Sequence, residues 1–207
     1  MTDTNILKVL SSGISATIAL VFLIITTPSL AQNGEILYQP DSDSPIGERN
    51  PKGSAELAQF DFIIGDWDAV VTYTVPGKTP IIYTARWHNT WILNGLAVMQ
   101  EWRGPYATGE EFRYFDPNAK KWTGYNLYSG STWKETRCEW QDNKMVVYSN
   151  GENQNGAFTN RETYYDIKDN SVKLRSDRSF DGGKTWKPYV FTIEMNRITD
   201  QEERKTE

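Results

Sequence analysis

Between positions 67 and 197 the chain is a succession of short runs rich in Val, Ile, Thr, Tyr and Trp, cut by clusters of Gly, Asn, Asp and Pro at intervals of about ten residues. Branched and aromatic side chains fit the pleated surface of extended backbone, and the punctuation is too frequent for helices. Ten strands are predicted, over 67–75, 81–93, 96–103, 110–115, 122–128, 132–140, 144–149, 158–167, 171–180 and 186–195. The breaks at Pro76-Gly77, Asn94-Gly95, Asp116-Pro117-Asn118, Ser129-Gly130, Gln141-Asp142-Asn143, Asp169-Asn170 and Asp181-Gly182-Gly183 are hairpin-type connections. With no crossover helix between strands, a parallel sheet is excluded. Consecutive hairpins make a meander, whose two edge strands stay bare unless they pair with each other. The expected fold is therefore all-β, an antiparallel up-and-down barrel of about ten strands. A two-sheet sandwich would need longer crossing connections than these turns provide.

Alternation divides the strands into faces. Trp67, Ala69, Val71, Tyr73 and Val75 share one face of the first strand. In the second, Ile81, Tyr83, Ala85, Trp87, Trp91 and Leu93 do, which leaves His88 with Arg86 and Thr90 on the other. Pattern alone does not say which face is the lumen, because small ligand-binding barrels also carry polar residues inside.

The ends of the chain read differently. Residues 1–31 carry Lys8, an apolar run over 14–25 and then Ser29-Leu30-Ala31, which is the charged flank, core and small-residue cleavage site of a secretory signal peptide. Export to the periplasm or outside the cell is expected, with no membrane span after cleavage. The alternative is an uncleaved anchor, since 9–27 approaches the roughly 20 residues that cross a bilayer. Positions 32–56 form a polar, turn-rich linker, in which Ser54 is placed to N-cap one or two helical turns reaching Phe60. The barrel domain is assigned to 57–198 and a charged tail to 199–207.

Composition excludes several classes of function. A formal charge of −5, with no cluster of Lys and Arg, gives no basic face for nucleic acid. Cys138 is the only cysteine and His88 the only histidine, so there is no internal disulfide, no metal-ligand spacing and no implied cofactor. Eight Trp, eleven Tyr and eight Phe supply ample apolar surface for a core.

The segment Phe60-Asp61-Phe62-Ile63-Ile64-Gly65-Asp66-Trp67-Asp68 resembles the Gly-x-Trp opening of lipocalin-like (calycin) barrels. More closely, it is similar to an uncharacterised bacterial exported family whose domain begins Phe-Asp-Phe-x-x-Gly-x-Trp-Asp. The similarity continues through Leu93-Asn94-Gly95, Glu101-Trp102-Arg103-Gly104, Tyr114-Phe115-Asp116-Pro117 and Lys121-Trp122 to the segment from Ser179 to Trp186 and to Arg197. On physical grounds Gly65 permits a tight entry into the first strand, and Trp67 is placed to plug one end of the barrel. The resemblance adds that a last-strand arginine stacks over that indole, so Gly65, Trp67 and Arg197 are expected to form a structural closure. It implies a barrel with one open mouth and transfers no catalytic residue. Nitric-oxide-binding heme barrels of the same broad class hold iron through a late histidine; here no histidine follows His88, so heme is not implied.

Candidate ligand-binding residues are His88, Arg113, Trp133, Glu135 and Arg137. Glu135, Arg137 and Glu139 alternate in step with Trp133, either as a carboxylate–guanidinium row on a lumen wall or as a solvated charge ladder outside. Arg161, Glu162, Arg175, Asp177 and Arg178 pose the same alternative. Ser179 to Trp186 fits an Asp-box hairpin staple, which marks a turn and not an active site. The leading expectation is a binding protein for a small, largely apolar molecule held in the barrel. An isomerase, cyclase or hydratase moving a proton through His88 or Glu135, and an envelope interaction module with an exposed aromatic patch, are the alternatives.

Overall fold

The computed structural model describes residues 46–199. The signal-peptide reading of 1–31, the linker before 46 and the tail from 200 onward lie outside the described residues. After a 3-10 helix over Ala55–Ile63, called the plug helix below, come ten strands: β1 (Gly65–Tyr73), β2 (Ile81–Ile92), β3 (Ala97–Arg103), β4 (Thr108–Asp116), β5 (Lys121–Tyr128), β6 (Lys134–Gln141), β7 (Lys144–Asn153), β8 (Gly156–Lys168), β9 (Ser171–Ser179) and β10 (Lys187–Arg197). Each pairs antiparallel with the next, and β1 pairs with β10, so the sheet is a closed barrel without a free edge. The closing pair runs in unbroken register from Trp67 opposite Arg197 to Tyr73 opposite Phe191. Among the described residues no helix is long and apolar enough to cross a membrane.

Two details depart from the sequence reading. Ser54 occupies the N-cap position, but its side chain makes no capping bond and its hydroxyl turns to Glu56 Oε2 at 2.7 Å instead. The hairpin between β7 and β8 runs well past 149, through Asn150, Gly151 and Asn153, residues whose propensity favours turns. Pairing holds them extended: Gly151 faces Phe158 across the strands, and a Cβ on Gly151 would stand 2.5 Å from the Phe158 ring. The described part of the segment read as linker is also engaged with the barrel. Gly47 bridges Trp91, and buried Asn50 donates its backbone N–H to the Gly95 carbonyl at 3.0 Å.

The lumen face is the one that holds Trp67, Ala69 and Val71 on β1 and Ala85, Trp87 and Trp91 on β2, all buried. At one pole the plug helix seals the barrel. Its Leu57, Phe60 and Ile63 are buried, and Phe60 sets its ring against Trp122 with centroids 4.6 Å apart. The Trp67 indole N–H donates to the Ile63 carbonyl at 2.7 Å. Arg197 lies over the Trp67 ring at 4.1 Å and donates to the carbonyls of Asp169, Ile64 and Phe62. Gly65 enters β1 at φ 111, and a Cβ there would come within 2.6 Å of Arg197 Nη1. One guanidinium thus stacks on the plug tryptophan and ties the first and last strands to the helix.

Candidate functional site

Two polar rows cross the inside of the barrel, and strand register explains both. Asn89, Gln100, Glu111 and Asn126 stand side by side on β2 to β5. One step toward the plug, Arg113 on β4 aligns with Gly124 on β5 and Thr136 on β6. Arg113 and Gln100 are fully buried, and Glu111 nearly so. A buried charge is tolerable only when paired and hydrogen-bonded, and Arg113 and Glu111 meet that condition through each other, although among the described residues Arg113 Nε and Gln100 Oε1 have no partner. Arg113 Nη2 donates to Glu111 Oε2, while Nη1 donates to Asn126 Oδ1 at 2.8 Å, to Thr136 Oγ1 at 3.3 Å and to the Phe112 carbonyl at 3.1 Å. The Tyr128 hydroxyl donates to Glu111 Oε1, and Gln100 Nε2 donates to Asn89 Oδ1 at 2.9 Å.

Burial alone would lower the Arg113 pKa; Glu111 beside it more than offsets this and holds it above its ordinary value. Burial, reinforced by the Glu111 charge, pushes the Tyr128 hydroxyl well above the usual range. Cys138, also facing inward, is raised to about 11 chiefly by burial, which leaves it an unreactive thiol at neutral pH.

Above this network, at the pole opposite the plug, lies a chamber of about 270 Å³. Tyr73, Tyr83, Trp87, Trp102, Tyr128 and Phe191 wall it, and Glu111 and Glu162 supply its carboxylates. Trp87 and Trp102 meet edge to face at 5.2 Å, and Tyr106 of the β3–β4 loop sets its ring against Tyr83 at 5.0 Å near the rim. Glu162 comes from β8, opposite Val147 of β7 and Ser176 of β9. Among the described residues no hydrogen bond or ion pair holds its carboxyl. Desolvation, aided by the Glu111 charge and opposed by Arg113 and Arg178, raises its pKa to about 7. Two further groups beside it lack partners: the indole N–H of Trp87 and the hydroxyl of Ser176, both buried. A carboxyl half-protonated near neutrality inside an aromatic wall can hold or release a proton, or set itself against a cation.

Of the five residues singled out from sequence, only Arg113 lies inside the barrel, and it sits beneath the chamber. His88 points outward, its Nδ1 2.8 Å from Asp66 Oδ1 on an exposed part of the wall. Glu135 and Arg137 also face outward, so the charged row on β6 is a surface feature. There Arg137 pairs with Glu139 at 3.1 Å and stacks on Tyr148 at 4.5 Å, and both Glu135 and Arg137 border a shallow outer groove. Trp133 lies on the surface with its ring 5.8 Å from that of Phe112. Arg161 and Asp177 pair at 2.8 Å on the outer wall, with the guanidinium over Trp186 at 4.1 Å. Glu111, Tyr128 and the indoles of Trp87 and Trp102 are lumen groups that the sequence reading did not select. The signal that marks them is parity: Glu111 falls in step with Arg113 and Phe115, and Glu162 with Tyr164, on the face that is otherwise apolar.

Comparison of the chain with protein-family models and with curated proteins finds no match.

Proposed function

We propose that this is an exported, lipocalin-like binding protein that holds a small, largely apolar molecule in the chamber at the unplugged pole of its barrel. The observation that carries the reading is the chamber itself: about 270 Å³, walled by six aromatic side chains, with polar groups confined to a few fixed positions. Ligand sites have this make-up, apolar walls for affinity and sparse polar anchors for orientation, and this one lies near the small end of their range. The buried Glu111–Arg113–Asn126 network supports the reading too, because it keeps one anchor rigid without help from solvent. The apolar run over 14–25 and Ser29-Leu30-Ala31 support export to the periplasm or the medium.

The test is a fluorescence titration with N-phenylnaphthylamine, a neutral lipophilic probe. Wild-type protein is expected to bind it, and Ala107→Trp, which places an indole in the chamber from the β3–β4 loop, is expected to weaken binding about tenfold or more. Equal binding by the filled variant, or no binding above a denatured control, would remove the proposal.

A further inference from the structure

We propose that the chamber selects organic cations: molecules with one ammonium group set against Glu162 and an apolar or aromatic body against Tyr73, Tyr83, Trp87, Trp102 and Phe191. This rests on the lumen being the binding site and names the class of ligand that it takes.

Arg113 is committed, since its two terminal nitrogens bond Glu111, Asn126, Thr136 and the Phe112 carbonyl. Glu111 is committed in turn, to Arg113 on one oxygen and to the Tyr128 hydroxyl on the other. Arg178, the next cation toward the mouth, donates to Asn160 Oδ1 at 2.8 Å and stacks over Phe158 at 4.0 Å. Among the described residues Glu162 has no such partner and its carboxyl reaches the chamber, so when it ionises no hydrogen bond or ion pair meets its charge, and Arg178, held on Asn160 and Phe158, offsets it only through space. A neutral ligand filling the space would strip the remaining water from that carboxyl and return nothing to it. An ammonium group would return a charge-assisted hydrogen bond, and the surrounding ring faces would add cation–π attraction in a desolvated setting. The indole N–H of Trp87, a wall residue that is 3 % exposed, has no hydrogen-bond partner among the described residues.

The two ligand classes move protons in opposite directions. The groups facing Glu162 are Glu111 and Arg113 from β4, Tyr128 from β5, Cys138 from β6, Tyr164 from β8 and Arg178 from β9, with apolar Val147 on β7. Of the carboxyls, thiol and phenols among them, burial holds Tyr128, Tyr164 and Cys138 protonated near neutrality, so the proton that moves with ligand in that range is the one on Glu162. A bound cation favours ionised Glu162 and releases a proton; a bound neutral molecule favours the protonated acid and takes one up.

The experiment is isothermal calorimetry of the full chain with naphthylethylamine and with its neutral counterpart naphthylethanol, at about pH 7 in two buffers of different ionisation enthalpy. The amine is expected to bind about tenfold or more tightly than the alcohol, with proton release for the amine and uptake for the alcohol. Glu162→Gln is expected to bind the alcohol still and to lose both the amine preference and the proton exchange. The comparison of the two probes on wild-type protein stands without the variant. If the alcohol binds as tightly as the amine, or if the amine binds without releasing protons, selection for cations is overturned while the lumen remains a binding site. If neither probe binds, the lumen reading fails and this inference fails with it.

Discussion

In the folded chain the Glu162 carboxyl keeps its proton up to about pH 7, whereas in the unfolded chain the same group loses it near the ordinary glutamate value of about 4.3. Between those two values the native state holds more protons than the unfolded state, so stability falls as pH rises through that window and levels off above it. Glu162→Gln removes the group that titrates. The variant is expected to be more stable than wild type by roughly 1–2 kcal/mol at about pH 8, a figure reduced from the full linkage value because the carboxyl reaches the chamber, and nearly equal to it at about pH 4. Urea unfolding at the two pH values checks this, and a difference of the same size at both would show that the effect is packing and not charge. The residue also shows why the site was only partly legible. Arg161 and Glu162 read as members of one charged run, yet parity puts Glu162 inside and Arg161 outside, on Asp177. Glu111, Tyr128 and Glu162 are far apart in sequence, and only the pairing of successive strands brings their tips to one chamber. Alternation set His88 and Glu135 each on a definite face of its strand, but pattern alone did not say which face was the lumen; Arg113 is inward because it keeps step with Glu111 and Phe115.

Among the elements, all ten strands were readable because each is bounded by turn residues with a backbone reason to be there. Asp142 and Asn143 both adopt positive φ, 51 and 55, the conformation a two-residue hairpin needs, and Asn94 and Gly95 are similarly left-handed. The Asp-box between β9 and β10 is tied as a staple: Asp181 accepts from the Thr185 N–H at 2.9 Å and from its hydroxyl at 2.6 Å, and Ser179 Oγ accepts from the Gly183 N–H at 2.8 Å. The plug helix was harder to delimit. It has no side-chain N-cap and is too short to stand alone, so burial of Leu57, Phe60 and Ile63 is what holds it. Phe60→Ala leaves a void against Trp122 and is expected to cost about 3–5 kcal/mol in chemical denaturation, with probe binding at the opposite pole retained by the folded fraction. Loss of probe binding in step with native signal would fit global unfolding; loss of binding in folded protein would mean that the plug shapes the chamber.

For the molecule as a whole, closure depends on a single non-local strand pair. Every contact between neighbouring strands is a hairpin except β1 with β10, which joins the two ends of the barrel sequence. The Ile198 N–H reaches the Asp66 carbonyl at 2.8 Å, so those ends lie side by side. A circular permutant that keeps the plug helix, runs a flexible linker from Ile198 to the segment before that helix and opens the chain at Asp142-Asn143 is expected to fold to the same barrel, because the new break falls in an exposed turn and the slow long-range pairing becomes local. Its circular dichroism and thermal transition report the outcome; failure to fold would mean that the β6–β7 hairpin is needed early. The same geometry has a practical side. Both ends of the barrel leave from the sealed pole, so an affinity tag, a fusion partner or a sensor surface attached through either of them meets the stoppered base of the vessel and leaves its rim facing the solution.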